Sequence, residues 1–183
     1  MFVRKFYISD THLGHARLLD MQPRPFNSIE EHDEHVVACW NSVVRNEDIV
    51  YHLGDFAFAL LRNEDRVREL FGRLRGRKYL IIGNHDVDKK GNLHPALATL
   101  GWAERPSQAL RTKDGGRDVY MSHYAARVWP SSHHGAVHFY GHSHGRLPGH
   151  GLSRDVGVDM PDVDFTPRTF SELTANMELP DGR

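Results

Sequence analysis

The sequence predicts an α/β fold in which several buried strands end in polar residues. Short apolar runs that are typical of buried strands alternate with segments of helical periodicity. Five of these runs are followed, after one Ser or Gly, by Asp, Asn or His, and they cover residues 2–8, 49–53, 79–82, 119–121 and 137–140. If the strands are parallel and share one sheet, their carboxyl ends meet at a single edge, which is where open α/β proteins bind ligands.

The first helix is predicted from a capping signal and from apolar spacing. After the first strand, residues 13–27 form a loop rich in His, Arg and Pro. Ser28 with Glu31 then matches a capping box. Apolar residues repeat at helical spacing from Ile29, so we expect a helix that runs to about Arg45 and packs on the sheet.

The middle of the chain contains a second helix, a short helix and a hairpin. The second helix is predicted at residues 63–76, because apolar residues recur at positions i, i+3, i+4 and i+7 from Val67. A short helix is expected at residues 95–100. The Asp-Gly-Gly sequence at residues 114–116 is a turn signal, and it predicts a hairpin between the strands on either side of it.

The last third of the chain combines irregular segments with short elements. Residues 124–136 lie between two of the polar-ended strands, so we expect this loop to overhang the site. One more strand is predicted at residues 154–158, and Thr169 with Glu172 caps a last short helix. Residues 176–183 are predicted to be a frayed tail.

Length and composition indicate one globular domain that covers residues 1–183. The formal net charge is -1, which argues against a strong electrostatic hold on duplex nucleic acid. The single cysteine, Cys39, excludes an intramolecular disulfide and a thiolate metal cage, and we interpret it as a core residue of the first helix. With no signal sequence and no apolar run of membrane-spanning length, the protein is expected to be cytoplasmic and without a membrane partner.

The polar residues at the strand ends have the chemistry of a metal site, and they are Asp10, His12, Asp55, Asn84, His123, His142 and His144. Carboxylate, amide and imidazole donors without sulfur suit Mn, Fe, Zn, Co or Ni. Seven donors exceed the four of one tetrahedral ion, so the sequence predicts two neighbouring divalent ions bridged by Asp55. Asp10 and His12 are two residues apart, and on extended backbone their side chains would point the same way. At any single position, a histidine that only bonds to backbone in the core is the alternative.

The ordered set of motifs resembles the calcineurin-like metallophosphoesterase superfamily. The motifs are Asp10-x-His12, Gly54-Asp55, Gly83-Asn84-His85-Asp86, His123 and Gly141-His142-x-His144. Segments that begin at Asp10, Pro23, Tyr51 and Val156 also resemble a compact bacterial and phage group, and they read DTHLGH, PRPF, YHLGD and VGVD. The resemblance implies a four-layer α-β-β-α sandwich of two mixed sheets flanked by helices.

The resemblance also implies a complete set of metal ligands. One ion would be held by Asp10, His12, Asp55 and His144, and the other by Asp55, Asn84, His123 and His142. The cofactor would be two divalent ions, with Mn as the first candidate ahead of Fe, Zn, Co and Ni. A metal-bound hydroxide would then attack the phosphorus of a small phosphomonoester or phosphodiester.

A second set of residues is expected to act on the substrate. Asp55 and His85 are the predicted catalytic residues, because in the resembling family the His after the metal-binding Asn faces the substrate and can protonate the leaving oxygen. Asp86 either orients His85 or caps the following turn. Asp159 either holds a histidine ligand or supports its strand. Four other side chains are candidates for contact with substrate, namely His15, Arg24, His52 and Arg127.

Two other functions are alternatives to a phosphohydrolase with a small substrate. The first is a nuclease of the same superfamily, but DNA-repair nucleases of this type carry an additional DNA-binding segment after the last histidine motif. Here residues 145–183 follow that motif, and they are not basic. The second is a non-catalytic scaffold that keeps the fold as a binding surface. Such relatives lose ligands or the substrate-facing His, whereas this sequence retains all of them.

Overall fold

The chain forms two four-stranded β-sheets that face each other, with helices packed against them. A computed structural model describes residues 2–58 and 60–180. Over these residues the strands are β1 (Lys5–Ile8), β2 (Ile49–His52), β3 (Arg77–Leu80), β4 (Ala109–Asp114), β5 (Arg117–Ser122), β6 (Val137–Tyr140), β7 (Ser153–Asp155) and β8 (Arg168–Thr169). The helices are α1 (Leu18–Met21), α2 (Ile29–Val43), α3 (Leu60–Arg73), α4 (Pro95–Ala98) and α5 (Phe170–Leu173), with one 3₁₀ turn at Ser132–His134.

Both sheets are mixed, as the resemblance implied. The first sheet has the order β3-β2-β1-β8, with β1, β2 and β3 parallel and β8 antiparallel to β1. The second has the order β4-β5-β6-β7, with a β4–β5 hairpin and with β5, β6 and β7 parallel. The predicted α/β class, with two mixed sheets and flanking helices, is therefore confirmed. The five polar-ended strands do not share one sheet, because β1, β2 and β3 belong to the first and β5 and β6 to the second.

Side chains from both sheets fill the space between them. The ring of Tyr7 on β1 lies 4.8 Å from the ring of Phe139 on β6. Polar contacts cross the same gap, since the Tyr7 hydroxyl donates to Asp114 at 2.8 Å and Lys5 Nζ donates to Thr112 Oγ1 at 2.8 Å. These contacts join β1 of the first sheet to β4 and β6 of the second, so they hold the two sheets face to face.

Helix α2 packs on the outer face of the first sheet and begins where the sequence predicts. The Ser28 hydroxyl accepts from the Glu31 backbone N–H at 3.1 Å, while the Glu31 carboxylate accepts from the backbone N–H of Asn27 at 2.9 Å. Trp40 is fully buried on the apolar face of this helix. The helix ends at Val43, slightly before its predicted end, and α1 interrupts a segment that was predicted to be loop throughout.

Two further boundaries differ from the prediction. Helix α3 begins at Leu60, earlier than expected. Strand β3 begins at Arg77, also earlier, although its second residue is a lysine. The apolar pattern used to predict the strand did not include this charged residue. Lys78 nevertheless fits in the strand because its ammonium group donates to the carbonyl of Leu74 at 2.6 Å. Strand β8 was not predicted because two residues carry no periodicity.

The loop at residues 124–136 leaves the site that it was predicted to overhang. Strands β5 and β6 are parallel, so the connection between them has to return to the opposite edge of the sheet. At that edge His133 and His134 line one cavity with Gly115 and Gly116 of the β4–β5 turn. The prediction was wrong for this part of the loop because the direction of the crossover depends on strand pairing rather than on loop composition.

The end of the described chain packs on the protein core. Met177 and Leu179 contact the apolar cluster between the sheets, so residues 176–180 do not form the predicted frayed tail. Residues 181–183, the rest of that predicted tail, lie outside the described residues. Among the helices found at residues 2–58 and 60–180, none is both long enough and apolar enough to span a membrane.

Candidate metal centre

The carboxyl ends of the strands meet where the two sheets touch. Ser9, which follows β1, pairs with Gly157, which follows β7. The backbone N–H of Gly141, after β6, donates to the carbonyl of His123, after β5, at 2.9 Å. Nδ1 of His123 in turn donates to the carbonyl of Leu53, after β2, at 2.7 Å. Because these contacts join the edges of both sheets, the side chains that follow the strands face one volume.

All seven predicted ligands lie in this volume. Donor atoms fall into three groups, within each of which they lie no more than 4.8 Å apart: Asp10, His12 and His144; His12, Asp55 and His85; and Asp55, His123 and His142. The amide oxygen of Asn84 is 3.1 Å from Nε2 of His123, which places Asn84 beside the third group. Asp55 belongs to two groups, as a bridging carboxylate would.

Most of these ligands have left-handed backbone conformations. The positive φ angles are 60° at Asp10, 48° at His12, 55° at Asp55, 69° at His142 and 48° at His144. The expectation that Asp10 and His12 lie on extended backbone is therefore wrong, and they face one volume because the chain turns sharply at each. Such conformations cost about 1–3 kcal/mol each for residues other than glycine, and they cluster at functional sites.

Two glycines let the backbone approach the carboxylates closely. A Cβ atom on Gly83 would overlap the side chain of Asp55, and one on Gly141 would overlap the Ser9 hydroxyl and the Asp10 carboxylate. Neither glycine has a positive φ angle. The chain therefore needs glycine here for space rather than for an unusual conformation.

The histidine side chains are oriented as metal ligands usually are. Nδ1 of His123 bonds to a carbonyl, and Nδ1 of His144 donates to Asp159 Oδ2 at 2.6 Å, so each directs Nε2 into the site. Both ring nitrogens of His12 are buried and have no hydrogen-bond partner among residues 2–58 and 60–180. An unpaired buried polar group is costly, and a cation would satisfy it. The residues present therefore fit divalent metal, and Asp159 contacts His144, one of the predicted ligands.

Burial and charge shift the pKa values of the ligands in different directions. Burial raises the pKa of the Asp10 carboxyl to about 7. Burial also acts to raise the pKa of Asp55, but the hydrogen bond and charge of His123, with further contributions from His12 and from the backbone N–H of His85, together outweigh burial and hold this pKa well below its ordinary value. Burial lowers the pKa of the His12 imidazole, which is therefore neutral. A cation binds neutral imidazole and ionised carboxylate, so it would favour ionised Asp10 as well.

Arg24 was predicted to contact substrate, but the structure places it in the interior. Its side chain is 1% exposed, and it forms a salt bridge with Asp159. The other contacts of its guanidinium are the carbonyls of Asp10 and Thr11 and the ring of His32. All five N–H donors of an arginine are used in these contacts. No donor is left for phosphate, so the prediction is corrected to a role in holding the site together.

His52 was also predicted to contact substrate, and it too is fully buried. Its Nε2 lies 2.9 Å from the Thr11 hydroxyl, and Thr11 donates to the carbonyl of Phe56. His52 therefore packs beneath the turns that carry the ligands. The prediction failed because β2 is buried on both faces, so the sequence contains no alternation that would show which way His52 points.

The two remaining candidates lie in different places. The ring of His15 stacks on Phe58 at 3.7 Å and lies 6.0 Å from the ring of His85, so it borders the site. Arg127 is exposed and lines a separate cavity of about 350 Å³ with Trp129 and other residues that are not ligands. The structure brings His15 to the site but does not bring Arg127 there.

Asp86 has a different role from either of the two expected. Its carboxylate accepts from the backbone N–H groups of Gly83 and Asp55, both at 2.8 Å, and of Phe56 at 2.9 Å. Asp86 therefore fastens the turn after β2 to the turn after β3, which sets the separation of Asp55 and Asn84. It stabilises these turns rather than orienting His85.

Tyr124 also borders the site, although its sequence pattern did not predict this. Its hydroxyl is 3.5 Å from Oδ1 of Asn84, and its ring lies 4.6 Å from the ring of His142. The side chain is 52% exposed, so it stands at the mouth of the site. In the sequence, its position directly after His123 at a strand end was the feature that could have indicated this role.

Two mixed sheets bring Asp, Asn and His side chains together at their strand ends, and donors of these types can hold divalent metal ions. Residues 4–125 match the family described as calcineurin-like phosphoesterase. The chain belongs to the calcineurin-like phosphoesterase family. The chain is therefore assigned to the phosphoesterases, which hydrolyse phosphate esters.

Similar sequences occur in a phage and in an archaeon. The gene 66 protein of Mycobacterium phage D29 is 31% identical over 161 residues, which cover 78% of this chain and 79% of that protein. An uncharacterized protein of Methanocaldococcus jannaschii is 44% identical over 87 residues, which cover 47% of this chain and 49% of that protein. This chain therefore spans about half the length of the archaeal relative.

Three solved structures are similar in fold. A protein of unknown function from Aquifex aeolicus has a TM-score of 0.71 at 20% identity and covers 95% of this chain and 99% of that one. A phosphoesterase from E. coli has a TM-score of 0.51 at 14% identity, with 85% and 78% covered. An archaeal phosphodiesterase has a TM-score of 0.50 at 18% identity, with 85% and 82% covered. At these identities the likeness shows the shared fold alone.

Proposed function

We propose that the protein is a phosphohydrolase that uses two divalent metal ions to cleave a small phosphomonoester or phosphodiester. The observation that carries this proposal is the set of three donor groups, two of which share Asp55. One ion would lie among Asp10, His12, Asp55 and His144, and the other among Asp55, Asn84, His123 and His142. Asp55 would lie between the two ions.

The donor set also indicates the metal and the charge of the substrate. Carboxylate, amide and imidazole donors without thiolate suit Mn²⁺, which we propose as the ion. When bound, two such ions lower the pKa of coordinated water and stabilise charge on phosphate oxygens. Asp10 and Asp55 cancel only two of the four positive charges. The centre would therefore stay positive and attract a phosphate anion.

Two side chains border the place where a phosphate would lie. His85 is half-buried, its ring is 5.1 Å from the ring of His12, and its backbone N–H donates to Asp55 Oδ1 at 2.8 Å. Tyr124 stands on the side of the third donor group, next to Asn84. We propose that the substrate phosphate lies between these two side chains and that His85 protonates the leaving oxygen.

The proposal predicts that turnover depends on bound metal. Protein stripped with a chelator is expected to lose at least about 10³-fold in hydrolysis of nitrophenyl phosphate and bis-nitrophenyl phosphate, because metal stabilises the transition state by several kcal/mol. Mn²⁺ should restore the rate. The measurement is nitrophenolate release with Mn, Zn, Co and Ni, alongside elemental analysis. Full activity without metal would contradict the proposal, and two bound ions without turnover of any ester would indicate a scaffold.

Long duplex DNA is expected to be a poor substrate. Nonspecific DNA binding depends on cations that release counterions from phosphates, and a chain with a formal net charge of -1 supplies few of them. Plasmid cleavage and fluorescence anisotropy of labelled duplex should be measured at about 0.15 M salt. The same Mn²⁺-loaded sample should turn over bis-nitrophenyl phosphate as a positive control. Efficient plasmid degradation would favour the nuclease alternative.

A further inference from the structure

The guanidinium of Arg24 is bonded to the turn that carries two candidate ligands. Nη2 donates to the carbonyl of Asp10 at 2.8 Å, and Nη1 donates to the carbonyl of Thr11 at 3.3 Å. Both Asp10 and His12 have left-handed backbone on this turn. Arg24 therefore holds a strained segment by its carbonyl groups.

The same guanidinium reaches a third ligand through a carboxylate. Nε and Nη2 of Arg24 donate to Oδ1 and Oδ2 of Asp159, each at 2.8 Å, in a bidentate pair. Oδ2 of Asp159 accepts from Nδ1 of His144 at 2.6 Å. A carboxylate on one ring nitrogen fixes the tautomer and turns the other nitrogen towards a metal. Asp10, His12 and His144, which form one donor group, are thus all connected to Arg24.

Arg24 also bonds to a second chain of polar groups, which leads to helices α2 and α3. Its Nη1 lies 2.8 Å from Nε2 of His32, whose Nδ1 lies 3.0 Å from Oδ1 of Asp33. Asp33 is bonded in turn to Arg66 on α3. His32 and Asp33 are fully buried in the first turns of α2. The position of the guanidinium is therefore set by the helical layer as well as by the loops.

The other half of the site is held by different contacts. His123 is oriented by the carbonyl of Leu53, and Asp55 accepts from the backbone N–H of His85. Arg24 has no bond to this half, since its five donors go elsewhere. Backbone bonds from Asp10 to Gly54 and from His12 to Asp55 join the two halves, as does the bond from the His142 N–H to the Asp10 carboxylate, but the guanidinium bonds directly only to the first half.

We infer that Arg24 and Asp159 are positioning residues that set the metal affinity of one half of the site, the half formed by Asp10, His12 and His144. The inference rests on the proposed two-metal function and goes beyond it, because it assigns separate control to one ion. Loss of an outer partner of a metal ligand typically lowers affinity by about 10–100-fold. That loss falls on one ion and leaves the other in place.

The experiment compares Asp159→Asn and Arg24→Lys with a matched pair on the surface. Arg154 and Asp162 form a bidentate pair of the same chemistry, with both bonds at 2.8 Å, and Asp162 is exposed. Arg154→Lys and Asp162→Asn are therefore the controls. The probe is Mn²⁺ alone, titrated into metal-free protein by calorimetry. Electron paramagnetic resonance then distinguishes an isolated ion from an exchange-coupled pair, and circular dichroism checks folding.

Wild type and both controls should bind two Mn²⁺ with a coupled signal. Asp159→Asn keeps the shape of the side chain and should fold even if Arg24→Lys does not. It is expected to weaken one site by about 10–100-fold, to leave the other within about twofold, and to show an isolated ion at limiting Mn²⁺. Equal weakening of both sites, or no change in either, would overturn the inference but not the two-metal function. A wild-type chain that binds fewer than two Mn²⁺ would overturn the two-metal function and the inference with it.

Discussion

An Asp55→Ala variant is expected to lose at least about 10³-fold in turnover and to hold less metal than wild type. Asp55 belongs to two of the three donor groups, so the substitution removes a ligand from both ions and reduces the negative charge between them. The carboxylate also accepts from the backbone N–H of His85, so its loss releases the turn that carries Asn84. The measurements are turnover of bis-nitrophenyl phosphate and Mn²⁺ per chain by elemental analysis.

Two other variants give this experiment its controls. Asp10→Ala removes a carboxylate that belongs to one donor group and should mainly empty one site. Asp162→Asn changes an exposed carboxylate that pairs with Arg154, and it should change neither turnover nor metal content. If Asp55→Ala remained folded by circular dichroism and still held two ions per chain, Asp55 would not be the bridge.

A His85→Ala variant is expected to lose activity in proportion to the basicity of the leaving group. General acid catalysis is typically worth about 10²–10⁴ in rate. An alkoxide leaves poorly without a proton, so alkyl and nucleoside esters should lose about that factor. A nitrophenolate hardly needs a proton, so nitrophenyl esters should lose much less. The measurement is the ratio of kcat/KM for the two ester types, together with metal content.

His133→Ala is a suitable control, because His133 is an exposed histidine beside the β4–β5 turn, remote from the ligand edge. An equal loss with both ester types and intact metal would mean that His85 stabilises phosphate charge instead of donating a proton. A drop in metal content would indicate that His85 is a metal ligand. Its position in a donor group with His12 and Asp55 allows this role. If neither ester type lost activity, His85 would not be catalytic.

The candidate ligands could be found from the sequence because each one follows a short apolar run. That pattern is local, and it does not depend on which sheet a strand joins. Asp55 follows a strand of the first sheet and His123 a strand of the second, yet both reach the same volume. The condition that the five strands share one sheet is therefore not met, and this does not affect the choice of ligands.

The backbone of the site could not be predicted in the same way. Spacing suggested that Asp10 and His12 extend along a strand, but both have left-handed φ angles. Such conformations are unfavourable by themselves, and they persist only when the surroundings hold them in place. Those surroundings include Gly141, which follows a strand of the other sheet, so the turn can be understood only after the sheets have met.

Local spacing and residue chemistry were enough to predict the strand ends, the start of α2 and the residues that are candidates for metal binding. They were not enough to separate side chains that face substrate from side chains that support the site. Arg24 lies in a polar loop that looks suited to phosphate, yet its partner Asp159 is 135 residues further along the chain. An arginine or histidine has the same appearance in the sequence whether it is buried or exposed, because burial arises from contacts between distant segments of the folded chain.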